Sequence, residues 1–265
     1  MGGRALITRV AVAAIVAASC GAATVWATQA ASPAGGSRAL LPDLSPQAPE
    51  QVTVRAVQRD GRQGFQLGFR SAADNLGAGP LVVDARRDPR RPSLLATTQV
   101  VSRADGTEQR RRLPARLRYV HSADHSHWHY PAFMHYELRR PDGRRRLGRD
   151  HKTGFCLGDR YRTPSDRPVR GKRGRAAFGT DCGRDMPDLF RLRQGISVGY
   201  GDDYDAHLEG QAIDITDLPA GRYLLLHTVN PDRSLTESSY RNNRSRAEIR
   251  IVRDARGRPT VKLLP

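Results

Sequence analysis

From Gln51 onward the chain alternates apolar and polar positions with a period of two. Val52, Val54 and Ala56 alternate with polar neighbours, and Phe65, Leu67 and Phe69 do the same. Successive side chains of an extended strand point to opposite faces, so this is the pattern of half-buried strands. The turn cluster Asn75-Leu76-Gly77-Ala78-Gly79-Pro80 precedes a short apolar run, Leu81-Val82-Val83. Asp105-Gly106 and Asp142-Gly143 are hairpin-type turns between further strand-like runs. Met134, Tyr136 and Leu138 alternate with Phe133, His135 and Glu137, and strand signals return at 211–216, 223–229, 247–252 and 260–264. Helical periodicity is absent from every window of a dozen residues. The expectation is an all-β fold: a β-sandwich core with long irregular loops and few or no helices.

The ends and one interior segment break this pattern. Residues 1–30 have Arg4 and Arg9 before an apolar stretch at 10–18, then small residues, which reads as a signal peptide or an N-terminal anchor. Cleavage after Ala27 or Ala30, acylation at Cys20, or retention as a membrane anchor all export the rest of the chain. The protein is therefore expected to be secreted or held at the extracytoplasmic surface, with no transmembrane span unless that segment is uncleaved. Residues 31–50, rich in Pro and Gly, read as a linker, and 51–265 as the folded domain. Export permits disulfides, and with Cys20 set aside only Cys156 and Cys182 remain to form one.

Residues 158–190 are rich in Arg, Gly and Pro and predict a long loop, closed at its base by that bridge. Its centre, residues 167–175, is strongly basic. Two readings stand for it: docking to an anionic cell-surface polymer, or a solvated basic loop in an arginine-biased sequence. No aromatic residues interleave with the arginines, so base stacking and nucleic-acid binding are not indicated.

The chemistry centres on Tyr119-Val120-His121-Ser122-Ala123-Asp124-His125-Ser126-His127-Trp128-His129-Tyr130. His125, His127 and His129 alternate strictly, and His121 continues the even spacing backwards. On a strand such residues share one face, with Cα atoms stepping by about 6.6 Å, close enough for imidazoles to converge on one ion. Three neutral imidazoles suit copper, zinc, iron or nickel and leave positions open for water or substrate.

Composition adds a constraint. The 265 residues carry 44 Lys+Arg against 27 Asp+Glu, a formal net charge of +17. The only lysines are Lys152, Lys172 and Lys262. A cationic substrate would be repelled at long range, so the expectation is either an acidic mouth, with Asp202, Asp203 and Asp205 as its candidates, or turnover that improves with salt.

Several blocks in order, spanning roughly 41–252, make the sequence similar to the lysyl oxidase family. His125-Ser126-His127-Trp128-His129, followed by His135-Tyr136-Glu137-Leu138, resembles the family's copper site. His151-Lys152, two residues on from which comes Phe155-Cys156-Leu157, resembles its Gly-His-Lys block, with Asp150 in place of the glycine. Gln194-Gly195-Ile196-Ser197, Tyr204 and Gln211-Ala212-Ile213-Asp214-Ile215-Thr216-Asp217 follow, then Val229-Asn230-Pro231 and Glu237-Ser238-Ser239-Tyr240-Arg241-Asn242-Asn243. Leu41-Pro42-Asp43-Leu44 fits at the amino-terminal side. Ala212 stands where the family usually has Trp, one extra residue separates His121 from His125, and the cysteines are few.

The resemblance implies a copper amine oxidase with a built-in quinone. His125, His127 and His129 are then the copper(II) ligands, and Lys152 and Tyr204 the residues that join as lysine tyrosylquinone. Substrates would be primary amines, including the lysine side chains of polypeptides, released as aldehydes with ammonia and hydrogen peroxide. Tyr200 is a rival to Tyr204 on the same strand face, and the resemblance favours Tyr204. His135 and His121 are candidates for the general base by proximity in sequence, and Asp202, Asp203 and Asp205 by charge. Two readings from other classes stand beside this one: a secreted copper-binding module without turnover, and a cell-surface polycation.

Overall fold

The computed structural model describes residues 37–265 apart from 60, 122–125, 132, 151–153, 207 and 209. Among these residues every regular element is a strand, all ladders are antiparallel, and no helix is long and apolar enough to cross a membrane. The strands form three sheets around one core rather than the two of a simple sandwich.

The first sheet is built on β3 (Arg62–Asn75), whose alternation buries Leu67 and Phe69 completely. Its length lets it carry different partners at its two ends. The first half pairs with β2 (Glu50–Arg59) and β13 (Ala212–Asp214), the second with β1 (Leu44–Pro46) and β12 (Tyr200–Tyr204). The short β10 (Tyr161–Arg162) adds to β12. Gly68 is required where β3 passes Ala206, because a Cβ there would lie 2.3 Å from the Ala206 carbonyl oxygen.

The second sheet runs β11 (Arg191–Ile196), β4 (Leu81–Asp88), β5 (Arg91–Ser102), β6 (Glu108–His121), β7 (Ser126–His129). The third runs β16 (Pro259–Leu263), β15 (Arg244–Arg253), β14 (Gly221–Val229), β8 (Met134–Arg139), β9 (Arg146–Arg149). The hairpin turns fall where Asp105-Gly106 and Asp142-Gly143 predict, each with its glycine at positive φ.

One apolar cluster joins the inner faces of all three sheets, with Phe69, Leu117, Trp128, Tyr136, Phe155 and Leu225 among its members. The Phe69 and Tyr136 rings meet edge-to-face at 4.8 Å. Each such side chain, fully buried, is worth about 1.5–3 kcal/mol.

The block at 229–243, matched in the sequence to Val-Asn-Pro and Glu-Ser-x-Tyr-x-Asn-Asn, is a structural lock. The Glu237 carboxylate accepts from the Leu44 N–H at 2.8 Å and from the Asn230 and Asn243 amides at 2.5 and 2.7 Å. It thereby ties the β1 strand to the loop after β14. Burial pushes its pKa up to about 7, against the pull of those donors.

The basic loop is closed as predicted: Cys156 and Cys182 are joined across 26 residues, their Cα atoms 5.7 Å apart. Four of its arginines are held to the protein, while Arg162, Arg175 and Arg184 are exposed. Arg160 pairs with Asp202, Arg167 with Asp74 and Ser45, and Arg170 with Asp43. Arg173 donates to the carbonyls of Thr163, Pro164 and Arg167. The loop uses charge to hold itself down because it has almost no apolar side chains to bury. Opening the bridge should then cost about 3.5 kcal/mol on the chain-entropy account. Urea unfolding of the Cys156→Ser/Cys182→Ser protein, compared with the oxidised protein, measures this; equal midpoints would show that the arginine contacts alone close the loop.

Candidate metal and cofactor site

Strand β7 sets the geometry of the histidines. Trp128 is locked on the inner face: its ring meets Tyr119 at 5.4 Å, its indole N–H donates to the Met186 carbonyl at 2.9 Å, and its backbone N–H to the Cys182 carbonyl at 3.0 Å. Alternation then forces His127 and His129 together on the opposite face. Their ring centroids are 4.7 Å apart, and both are buried. His125, the third expected ligand, lies outside the described residues. Among the described residues no three metal-ligating side chains gather. The two that can be described are imidazoles on one strand face, a nitrogen donor set that fits copper.

His121 departs from the expected spacing. It ends β6, not β7, and pairs in register with Ser126, whose hydroxyl lies 2.6 Å from its Nδ1. The ring is exposed. Even spacing along the sequence was no guide here because the chain reverses between residues 121 and 126.

Tyr204, at the end of β12, is buried. Its hydroxyl donates to the Cys156 carbonyl at 2.8 Å and to Asp202 Oδ2 at 2.9 Å. The Phe155 ring packs edge-on at 5.1 Å, and the Arg160 guanidinium lies 5.2 Å from the ring centre. Arg160 Nε also donates to Asp202 Oδ1 at 2.6 Å. Gln211 fixes the backbone, its amide donating to the Tyr204 carbonyl at 3.1 Å and to the Phe69 carbonyl at 2.8 Å. Burial, and then the Asp202 carboxylate, hold the Tyr204 phenol well above its ordinary pKa. Burial likewise pushes Asp202 up to about 7, opposed by Arg160.

Lys152 lies outside the described residues, but both flanks of its segment are fixed. On one side the buried Asp150 accepts from the Tyr136 N–H at 2.9 Å and meets His135 Nδ1 at 2.9 Å. On the other, Phe155 exchanges two backbone hydrogen bonds with Tyr130, at 2.7 and 2.9 Å. Gly154 passes so close to β7 that a Cβ would lie 2.7 Å from the His129 Cβ. Asp150 thus stands beside His135, and Gly154 and Phe155 stand beside His129 and Tyr204.

The remaining candidates separate. His135 is held between Asp150 and Glu137, and the Asp150 contact raises its pKa, so its ring keeps its proton to higher pH. Tyr200 is half-buried, and its hydroxyl accepts from Arg162 at 3.0 Å, away from the Asp202 carboxylate. Asp202, Asp203 and Asp205 do not stand together as an acidic mouth. Asp202 is enclosed with Arg160 and Asp203 pairs with Arg70 at 2.6 Å, which leaves Asp205 alone of the three exposed. Sequence reasoning gave no role to Arg160 or Gln194. Gln194 donates to the Trp128 carbonyl at 2.8 Å and accepts from the Leu157 N–H at 3.4 Å, joining the histidine strand to the disulfide segment. Arg160 was hidden in the basic loop, 42 residues from its partner. Gln194 could have been found from its place in the Gln-Gly-Ile-Ser block.

The family model described as lysyl oxidase matches residues 84–256. Protein-lysine 6-oxidase of Sus scrofa is 35% identical over 146 residues, 53% of this chain and 51% of that protein. The Homo sapiens protein-lysine 6-oxidase is 35% identical over the same length, 30% of its own chain. Lysyl oxidase homolog 2 of Gallus gallus is 33% identical over 124 residues, 45% of this chain and 13% of its own. This chain thus spans about half or less of the relatives it matches.

Two outcomes follow from the packing. Gly154→Ala should drive a methyl into His129 Cβ and, at 3.0 Å, the Tyr130 carbonyl. It should lower stability by about 1–3 kcal/mol, read by urea unfolding, and reduce bound copper in the same protein. Asp202 gives a pH effect of known sign. Its folded pKa lies above the unfolded value, so the folded state binds the extra proton between about pH 4 and 7. Its contribution is complete below the unfolded pKa and is lost as pH rises through about 7. Thermal melts of wild type should fall across that window, and those of Asp202→Asn should fall less.

Proposed function

Because this chain belongs to the lysyl oxidase family, we propose that it is a copper-dependent amine oxidase that oxidatively deaminates primary amines, including lysine side chains of polypeptides. The copper(II) ligands are His125, His127 and His129, and the cofactor is lysine tyrosylquinone made from Lys152 and Tyr204. The observation that supports this reading is that the residues just after the Lys152 segment touch both parts of the site, Gly154 lying against His129 and Phe155 against the Tyr204 ring.

When bound, the copper and the quinone supply the oxidising chemistry, in which amine, dioxygen and water give aldehyde, ammonia and hydrogen peroxide. The chain's own residues do the rest. Asp202 Oδ2 stands ready to take the Tyr204 phenol proton, and Arg160 offsets the negative charge left on the oxygen. Phe155 and the Cys156 carbonyl fix the ring plane and keep water from it. Gln211 prevents the strand end from moving away. Asp150 and His135 anchor the other end of the lysine segment. Lysine has an ordinary pKa of about 10.4, so the amine must be brought into a setting that favours its neutral form before it can bond to the ring.

A proteolytic digest of copper-loaded, aerated protein should contain one cross-linked peptide bearing both Lys152 and Tyr204, seen by mass spectrometry. The intact protein should show a visible absorption band and release peroxide with primary amines. Lys152→Arg and Tyr204→Phe should each abolish cross-link and turnover while copper stays bound. Absence of any cross-link in the loaded wild type, or its appearance at Tyr200, would overturn the assignment.

A further inference from the structure

Within the 158–190 loop Arg160, Arg167, Arg170 and Arg173 are tied to the protein, and a second body of positive charge stands apart from that loop. It gathers on the outer face of the second sheet. Directly opposed residues of an antiparallel ladder share a face, so the register shows what stands side by side. Arg191 is opposite Arg86, Arg86 opposite Ala96, and Ala96 opposite Arg116. In the next row Arg193 is opposite Asp84, and Asp84 opposite Thr98. The result is a trough of about 500 Å³ along β5. Its floor is Ala96 and Thr98, and its walls are Arg86, Arg191 and Arg193 on one side and Arg110 on the other.

Four guanidiniums meet one carboxylate there. Asp84 already accepts from Arg193 at 2.5 Å and from Arg110 at 2.7 Å. Arg86 stacks on the Phe190 ring at 5.1 Å, and neither it nor Arg191 has a carboxylate partner within salt-bridge distance among the described residues. The trough is thus a small-residue channel with surplus guanidinium on one rim, from Arg86 and Arg191, facing Arg110, which Asp84 and Glu108 already pair, on the other, and it suits an extended chain bearing carboxylates.

The same face leads to the candidate site. Along β5, Leu94 follows Ala96 on that face; it is opposite Arg118, and Arg118 is opposite His129. From β5 to β7 is two strand spacings, about 10 Å. An extended polypeptide crosses that distance in about three residues.

We propose that this trough docks an acidic segment of the substrate polypeptide, placed about three residues from the lysine to be oxidised. The inference rests on the function proposed above and specifies which polypeptides are preferred among its substrates: acidic ones over cationic ones. It also answers the problem set by the net charge of +17 and by the separation of Asp202, Asp203 and Asp205. The substrate's own carboxylates supply the attraction that a lysine cannot.

The test uses copper-loaded, full-length protein and three dye-labelled peptides, each with one lysine. One carries a glutamate run about three residues away, one a serine run, one an arginine run. Binding is read by fluorescence polarisation, and turnover by peroxide release, with butylamine as a small substrate. The glutamate peptide should bind tightest, and its KM should rise with salt. Arg86→Ser/Arg191→Ser should raise that KM by about tenfold with kcat unchanged, and leave butylamine turnover and the melting temperature alone. Arg246→Ser/Arg250→Ser, which removes the same charge from the third sheet, should have little effect. Equal binding of the glutamate and serine peptides, or equal loss in both double variants, overturns the trough. Tighter binding of inorganic polyphosphate than of the glutamate peptide, with no effect of the run on KM, assigns the face to another polymer and also overturns it. Failure of every amine, butylamine included, to release peroxide sinks the proposed function instead, while the polarisation data still decide the trough.

Discussion

The bond between Cys156 and Cys182 is where the parts of the site meet. The Cys182 carbonyl accepts the Trp128 N–H and the Cys156 carbonyl accepts the Tyr204 hydroxyl. One covalent link therefore ties the strand that presents His127 and His129 to the ring expected to become the cofactor. The neighbours repeat the tie. Tyr130 and Phe155 exchange backbone hydrogen bonds, and Gln194 spans Trp128 and Leu157. A site assembled from two sheets needs such a splice, because neither sheet positions the other's side chains. Within a single ladder β12 could not know where β7 lies.

The arginine bias of the chain is spent in two physically different ways. In the 158–190 loop guanidiniums replace the apolar contacts the segment lacks. Arg167 reaches the buried Asp74, and Arg160 the buried Asp202. Breaking such pairs from one side would leave a carboxylate stranded in the interior, which costs about 3–5 kcal/mol and makes the loop rigid despite its composition. On the second sheet the same residue type stands on an exposed face, where pairing contributes little to stability and the charge remains available to a partner.

The strands were legible because period-two alternation and Asp-Gly turns are local signals. The face shared by His127 and His129 was legible for the same reason, with Trp128 between them as the inward anchor. What a sequence cannot display is a reversal. His121 has the right parity but sits on β6, across the turn. Nor can it display partners far along the chain. The acids at 202 and 203 looked like a mouth and are instead the counter-charges of Arg160 and Arg70. The matched 229–243 block shows a further limit of motif reading. Resemblance located it, yet its Glu237, Asn230 and Asn243 side chains hold the fold together rather than touching Tyr204 or the histidines.

Two demands on Tyr204 conflict, and the surroundings of the ring show how they are reconciled. The cofactor role proposed for it requires a phenol that can lose its proton, while burial resists placing charge on the oxygen. A carboxylate alone would worsen this, since its own negative charge raises the phenol further. Arg160 resolves it by facing both groups: it bonds Asp202 Oδ1 and lies over the ring. Asp202 and the phenol oxygen then share one proton beside a fixed positive charge, so that the proton can pass between them while the cluster's total charge stays the same. The proton's movement demands no new charge in the interior, and the barrier set by burial is met locally. That arrangement needs an arginine brought from the disulfide-closed loop, an aspartate two residues from the tyrosine on the same strand face, and a backbone carbonyl from the bridged cysteine. It is therefore unavailable until the loop has closed, which makes the folding of the 158–190 segment a condition for the chemistry of Tyr204.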